Sequence, residues 1–540
     1  MKRFLSIALF VTLSTLSLGA QTLYWGGELI SPANMSHMEA AKYAQTDHAN
    51  LSARVAAMGG AFTSLGADLS SMSINPAGLG MYRTSQMSIS SAFDNTRSTN
   101  TTSNIAGSKS NFSFNQLGAA MNVYQGTGAL VSFTVGFAYN KLADLNFSNR
   151  GEWRDGEVTI GEFFAEQMYG ISPVDLGSSK SPFTNPDIYT DQWGGILAYR
   201  THMIDPHLAN DEFQGDYFVN GIPVENRVNS GLVMNSQGRV EEYDFSMGFN
   251  FGNILYVGTT LGVTGIEQYI SYSYNESYVG AQEGEMSSMA YEPSVSNYGS
   301  GVNFKIGAIV RPVSAVRIGI AYHTPTVVSL TRDFGAHMQT NFLPSTSYGA
   351  NSYLNTYTYD YTSPGKLLLG ASVALADKAI LSVDYDKVWY GDMRMNTNDQ
   401  SMDWAFKNDV KADLGTAENF RVGVEVHPTA NLYVRGGYAY YGSPLNREAT
   451  HYNDGGGVFY GTYKTHSDNY SLGLGWRFPT GATLDLVWTI ARAHYTNSIM
   501  YDYFYESLAG DEQIFVTGPT MMNTAHTSNT IGLTYSVLLF

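Results

Sequence analysis

The residues able to carry chemistry are spread along this chain at alternate positions and are not gathered into motifs. Asp244, Lys305, Arg317, Lys366, Asp384, Asp386, Arg421, Glu425, Arg435, Arg477 and Asp485 each fall on the polar side of a segment that alternates apolar and polar residues. Charges of both signs on one confined face are tolerated when they pair, so they are expected to neutralise one another and to pin whatever fills that face. The alternative is that one arginine or lysine receives a carboxylate headgroup. None of the 11 histidines belongs to a His-Glu-x-x-His or other ligand spacing, and His323, His427 and His494 lie on separate segments, which argues against a metal or haem site. With 0 Cys there is no thiolate ligand, disulfide or lipid-modified cysteine. No Gly-x-Ser-x-Gly or Ser-x-x-Lys run sits at a strand-to-helix junction. A membrane-embedded lipase would need a pair such as Ser471 and His494 brought together. Neither an enzyme nor a cofactor is expected.

What must position those charges is a sheet. Tyr470, Leu472, Leu474, Trp476 and Phe478 alternate with Asn469, Ser471, Gly473, Gly475 and Arg477, and Phe420, Val422, Val424 and Val426 do so with Arg421, Gly423, Glu425 and His427. This is the period of a strand with two unlike faces. Fourteen such segments run from 84–94 to 526–540. Their connections alternate between short turns, such as Gly126-Thr127-Gly128, Gly252-Asn253 and Pro479-Thr480-Gly481, and long polar links, the longest from about Phe147 to Gln237. A mean hydropathy of −0.16 suits a soluble protein, yet 38 Tyr and 55 Gly in 540 residues do not suit one soluble domain. A closed β-barrel hides its hydrophobicity in this way, because only every second residue faces lipid. The predicted fold is therefore all-β, a 14-stranded antiparallel transmembrane barrel over 84–540. A net charge of −17 argues against nucleic acid as a partner. Residues 1–20, with Lys2 and Arg3 before an apolar run and Gly19-Ala20 at its end, read as a secretory signal peptide.

Between the two lies 21–83, a segment of a different kind. From Ser52 to Arg83 it is dominated by small residues, including Gly59, Gly60 and Ala61, as suits a chain threading a space where backbone approaches backbone. Asn75 before Pro76 and Ala77 predicts a turn held by the Asn75 side chain. The segment is expected to plug the barrel as a small N-terminal hatch.

Ala53-Arg54, Met58-Gly59-Gly60-Ala61-Phe62, Asp68 and Asn75-Pro76-Ala77-Gly78-Leu79 resemble the hatch of the FadL/TodX family, outer-membrane transporters of long-chain fatty acids and aromatic hydrocarbons. Tyr139 to Asn146, Pro364 to Gly370 with Asp384-Tyr385, and Arg435 to Tyr440 follow in the family's order. One departure is Lys141, which stands where the family often has a glycine. The resemblance implies passive uptake of a hydrophobic small molecule by a monomer in the lipid of a Gram-negative outer membrane. It also implies lateral release near the end of the third strand, at Asn140, Lys141, Leu142 and Ala143. Pro325 is the alternative place suggested by the sequence itself, because proline interrupts a strand. In the long third loop, Phe163, Phe164, Met168 and Trp193 belong either to packing over the barrel mouth or to a groove that captures the ligand. A rival reading is a surface-binding or adhesion barrel that transports nothing.

Overall fold

The computed structural model describes residues 35–539 except 101–102, 178–182, 184–191, 222–226, 376–377, 398–399, 447–463, 496–497, 500–501, 507–512, 518–519 and 522–523. Residues 1–20, expected to be a signal peptide, and the first part of the 21–83 segment lie outside the described residues.

Fourteen antiparallel strands close into a barrel. They are β1 (Ser85–Asn100), β2 (Ala106–Gln125), β3 (Leu130–Asp144, with an outer arm Phe147–Gly156) and β4 (Val228–Phe251). Then come β5 (Leu255–Tyr278), β6 (Met286–Val313), β7 (Val316–His323 and Val327–Phe342) and β8 (Asn355–Thr362 and Lys366–Leu375). The last six are β9 (Ala379–Trp389), β10 (Thr416–Val426), β11 (Leu432–Tyr441), β12 (Lys464–Arg477), β13 (Thr483–Tyr495) and β14 (Thr524–Leu539). Closure is direct, because β1 pairs with β14 from Ser85 opposite Leu539 to Asn100 opposite Thr524.

The period-two pattern dictates the wall. Outward residues such as Phe245, Met247, Val302, Phe304, Leu472 and Leu474 are exposed, while Asp244, Lys305, Asp384, Arg421 and Arg435, on the other face, are buried. An exposed apolar belt around a closed sheet is what a bilayer requires of a spanning barrel. At one end the links are tight: Gly252 and Asn253 take φ of 59° and 58°, the left-handed centre of a turn that the Ile254 amide closes by donating to the Phe251 carbonyl at 3.0 Å.

At the other end the strands run beyond their expected limits. The third loop, read from about Phe147 to Gln237 as a link containing short helices, for example at Gly161 to Tyr169, begins and ends as strand, with Phe147 opposite Ser236 and Gly156 opposite Val228. Val228, Leu232 and Met234 of β4 are buried there, but polar residues and glycines such as Ser148, Asn149, Gly151, Asn229 and Gly231 break the apolar series that would mark a strand in the sequence. The middle of that loop folds as α3 (Ile160–Gln167), α4 (Trp193–Arg200) and a hairpin of Ile204–Ala209 with Glu212–Val219. These pack on Tyr274, Met289, Tyr291, Phe334 and Met338 from the extended strands to form a dome. Buried Glu276 ties it down, accepting from Thr159 Oγ1 at 2.5 Å, the Ile160 amide at 2.9 Å, and the Tyr274 and Tyr278 hydroxyls at 2.8 Å each.

Residues 35–82 lie inside the barrel. Their first element is α1 (His37–Ala44), whose N-cap Ser36 accepts from the Glu39 amide at 3.1 Å. α2 (Ala53–Ala57) and a 3-10 helix at Pro76–Met81 follow, and nearly every residue between Leu51 and Tyr82 is buried.

Candidate functional site

The inside of the barrel is built by fitting the N-terminal segment to inward-facing wall residues, and small residues on both sides set the fit. A Cβ placed on Gly437 of β11 would overlap the Gly59 amide nitrogen, and one on Gly319 of β7 would overlap the Thr63 carbonyl. Gly59 and Gly60 take φ of 62° and 75°, so the chain reverses there at no steric cost. Asp384 of β9 accepts from the Phe62 and Thr63 amides at 2.7 and 2.8 Å. Asn75 does what its sequence context predicts. It accepts from the Ala77 amide at 3.1 Å and donates to the Thr63 carbonyl at 2.7 Å, with the Ala308 and Ile320 carbonyls of the wall at 3.4 Å. Asn75→Ala leaves these buried groups unmet at a cost of about 1–3 kcal/mol. It is expected to lower uptake while the purified barrel keeps its heat-modifiable migration on a gel, and undiminished uptake would count against the role.

Of the inward charges expected to pair, all but Arg317, Lys366 and Arg477 do so among the described residues. Arg421 meets Asp386 through both terminal nitrogens at 2.5 Å, and Arg435 bridges Glu425 and Asp485, each at 2.5 Å. Arg54 of α2 joins Glu425 at 3.2 Å, which pins the segment to the wall. Lys305 holds Glu242, and Asp244 at 3.0 Å. Arg332 of β7 holds Glu39 of α1 at 2.6 Å, with both side chains fully buried. Arg477, expected among these, is instead exposed where β12 meets its turn, because the strand ends there and its side chain reaches solvent.

Lys366 of β8 is held differently. Its Nζ donates to the Ala44 carbonyl at 3.0 Å and to Thr46 Oγ1 at 3.2 Å, both neutral oxygens of the N-terminal segment. No carboxylate of the described residues lies within ion-pair distance of it. It borders a cavity of about 70 Å³ whose other side is lined by Leu142, Val240, Ile266, Val328 and Tyr361. A second cavity of about 190 Å³ lies across Thr46 and Asp47, against β1, β3 and β14.

The wall is interrupted beside these cavities. β2 pairs with β3 from Gln125 opposite Ser132 only as far as Gln116 opposite Asn140, whereas β2 pairs with β1 up to Ala106. β3 bulges against β4 between Lys141 and Ala143, and its outer arm leaves the wall. That arm crosses the inner face: Asn149 meets the inward His526 of β14 at 3.0 Å, and the Phe147 ring lies 5.4 Å from that imidazole. Ala106 to Asn115 of β2 therefore have no ladder on the β3 side. Two lysines bridge the interval. Lys141, buried, donates to Ser113 Oγ at 2.7 Å and pairs with Asp144 at 3.1 Å and Asp94 at 3.3 Å. Lys109 donates to the Ser236 carbonyl at 3.0 Å.

The interruption at Pro325 is of another kind. β7 breaks at Thr324 to Thr326 beside a break in β8 at Ser363 to Gly365, and hydroxyls complete the ladder there. Thr324 Oγ1 accepts from the Phe304 amide at 3.0 Å, and Ser363 Oγ from the Thr326 amide at 2.9 Å. The wall is sealed at that point.

In the dome, Phe164, Met168 and Trp193 are buried in its core and Phe163 is half-buried against it. Their apolar surface is spent on packing. Ser471 donates to the Gly437 carbonyl at 3.3 Å and stands opposite Thr489, while His494 stands opposite His466 near the far end of the same pairing. No group of three or more His, Cys, Asp or Glu suited to a metal ion occurs among the described residues. One site feature, the Lys366 contacts, carried no signal in the sequence. The helix α1 falls within Met35 to His48, which reads as loosely helical, and Ser36-His37-Met38-Glu39 has the capping-box pattern that would fix its start.

No family model matches the chain, and no curated protein does. Among solved structures, the toluene transporter TodX of Pseudomonas putida is 12% identical, with 91% of this chain and 99% of that one covered and a TM-score of 0.48. The toluene transporter TbuX of Ralstonia pickettii is 14% identical, covers 91% and 99%, and has a TM-score of 0.46. A Pseudomonas aeruginosa FadL homologue is 11% identical, covers 92% and 98%, and has a TM-score of 0.47.

Proposed function

We propose that this chain is a plugged outer-membrane barrel that takes up hydrophobic small molecules passively, with the 21–83 segment as its hatch and the β2–β3 interruption as its lateral exit. The carrying observation is that the lumen is filled along its axis while the wall lacks a strand ladder from Ala106 to Asn115 beside a lumenal cavity. Moving an apolar solute down an axis lined with paired charges costs about 0.8 kcal/mol per methylene kept from apolar surroundings. A path through the wall into the bilayer avoids that cost. Nothing in this route needs a cofactor or an energised partner. The dome and long loops then face outward, where the ligand arrives, and Phe163, Phe164, Met168 and Trp193 take part in capture only if the dome repacks around it.

An adhesion barrel would need neither the wall interruption nor the cavities beside it. The two readings are separated by expressing the chain in a Gram-negative host stripped of its own lipophile uptake and following labelled oleate and labelled toluene. Accumulation of at least one, indifferent to uncouplers, is expected. If neither accumulates above the empty-vector level, the transport reading fails.

A further inference from the structure

We propose that α5 (Gln400–Asp413), in the link from β9 to β10, lies at the outer lipid surface and holds a phosphate-bearing glycolipid of that leaflet on an exposed face of tryptophan and lysine. The inference rests on the reading of the chain as an outer-membrane barrel and is independent of transport.

The helix sits where the wall is shortest. β9 and β10 have 11 residues each and β11 has 10, about the 9–11 that cross a bilayer, whereas β5 and β6 run for 24 and 28. On this side the lipid-facing belt therefore ends where the ladder does, at Trp389 opposite Thr416. Trp389 points outward with Tyr322 of β7, their rings 6.4 Å apart, as in the aromatic girdle of a bilayer boundary. Only Leu414 and Gly415 separate α5 from β10, and the Gly391 amide donates to the Gly415 carbonyl at 3.0 Å. The end of the helix is thus fixed at that girdle.

Its two faces are unlike. Phe406 and Val410 are buried in the cluster that packs Met38 and Tyr43 of α1, and Asp413 meets His37 Nε2 of α1 at 2.8 Å. Since α1 lies inside the barrel, this side of α5 faces the lumen. At about 100° per residue the opposite side carries Trp404, Lys407, Asn408 and Lys411, all exposed, Trp404 to 69%. Arg394, exposed between buried Met393 and Met395, points outward as well by strand alternation. The carboxylates of α5 are turned aside: Asp403 accepts from the Thr397 amide at 2.8 Å and its hydroxyl at 2.9 Å, Asp413 takes His37, and Asp409 is half-buried. Asp392 and Glu418 are exposed nearby, yet no carboxylate of the described residues pairs with Arg394, Lys407 or Lys411.

An exposed indole is a liability in water and an anchor at a lipid boundary, where its ring is covered and its N–H stays wet. Beside it, three cations without carboxylate partners match an anionic headgroup, on a chain whose net charge is −17. An acylated sugar bearing phosphates suits both parts, with the phosphates on the lysines and Arg394 and the indole at the boundary between sugar and acyl chains. A second copy of this chain would bring the same cations against these and be repelled.

The probe is purified lipid A, a diphosphorylated acylated disaccharide, mixed into phosphatidylcholine vesicles that hold the full chain. Wild type should retain labelled lipid A, and Lys407→Gln with Lys411→Gln should weaken retention by about tenfold. Trp404→Ala should weaken it several-fold. Because the chain contains no cysteine, Asn408→Cys places a single thiol on the unaltered face. Its reaction with a water-soluble maleimide should slow several-fold with lipid A and not with lipid A stripped of phosphate, a readout that stands even if the lysine variant fails to assemble. A lysine variant that assembles and retains lipid A as wild type does, a thiol indifferent to lipid A, equal protection by the dephosphorylated lipid, or thiols that join two copies of the chain overturns the proposal and leaves transport standing. Retention of lipid A without uptake of oleate or toluene would instead remove the transport reading alone.

Discussion

Tethering Ser113 to Asp144 is expected to abolish uptake. The two residues face each other across the place where β2 and β3 cease to pair, and both contact one ammonium nitrogen, Lys141 Nζ, at 2.7 and 3.1 Å. Cysteines at these positions would be the protein's only thiols and would lie within reach of a short bifunctional thiol reagent joined by disulfides. The interval between the strands is bridged by side chains alone, which can separate without breaking a backbone ladder. A covalent tether removes that freedom while leaving the dome and the N-terminal segment as they are. Accumulation of the labelled ligand should fall to the empty-vector level once the tether is formed and return when a reductant cuts it. The untethered double-cysteine protein, which lacks the Asp144 carboxylate, should transport at least as fast as wild type, since a latch on the opening has been weakened. Full transport through the tethered protein would show that the ligand leaves elsewhere, past a displaced hatch.

The second large effect concerns the N-terminal segment inside the barrel, which we propose is its hatch. Replacing Gly437 and Gly319 together by leucine should turn a closed barrel into an open one. A Cβ at either site would overlap hatch backbone, which cannot yield as a flexible side chain can. Only the inner face of the wall changes, and the lipid-facing belt and the strand ladders on which assembly depends are untouched. The hatch must then leave its place, and with it go the Asp384 bonds to Phe62 and Thr63 and the Arg54 pair with Glu425. In planar bilayers the wild type should conduct few ions, because its lumen is filled, and the double variant should show steps of large conductance. Heat-modifiable migration shows whether the variant has assembled. An assembled variant that stays silent would falsify the view that these glycines seat the hatch.

How much of this was legible beforehand differs from element to element. β12 declared itself through Tyr470 to Phe478, because a strand with lipid on one side and a packed lumen on the other must alternate at every step. The outer arm of β3 and the first part of β4 did not, since polar residues and glycines break the apolar series there, although Val228, Leu232 and Met234 are buried against the dome. Among site residues, Asn75 could be assigned a role from its neighbours because its partner Ala77 is two residues away. Lys141 could not: it is buried next to buried Asn140, a doubling that comes from the bulge against β4 and breaks the alternation from which a face is read.

The sequence by itself determined the wall and its contents in kind: fourteen strands, their inward charges, and a stretch of small residues able to lie among them. These follow from local periodicity and from the size of side chains, properties each segment carries alone. Only the tertiary structure decided which charge meets which, that the ladder fails at Asn140 and holds at Pro325, and that Lys366 faces neutral oxygens. Ion pairs and hydrogen bonds act over about 3–4 Å. Whether two inward residues come that close depends on the stagger of neighbouring strands and on the depth at which the hatch is seated, which are relations between distant segments that no single segment's pattern records.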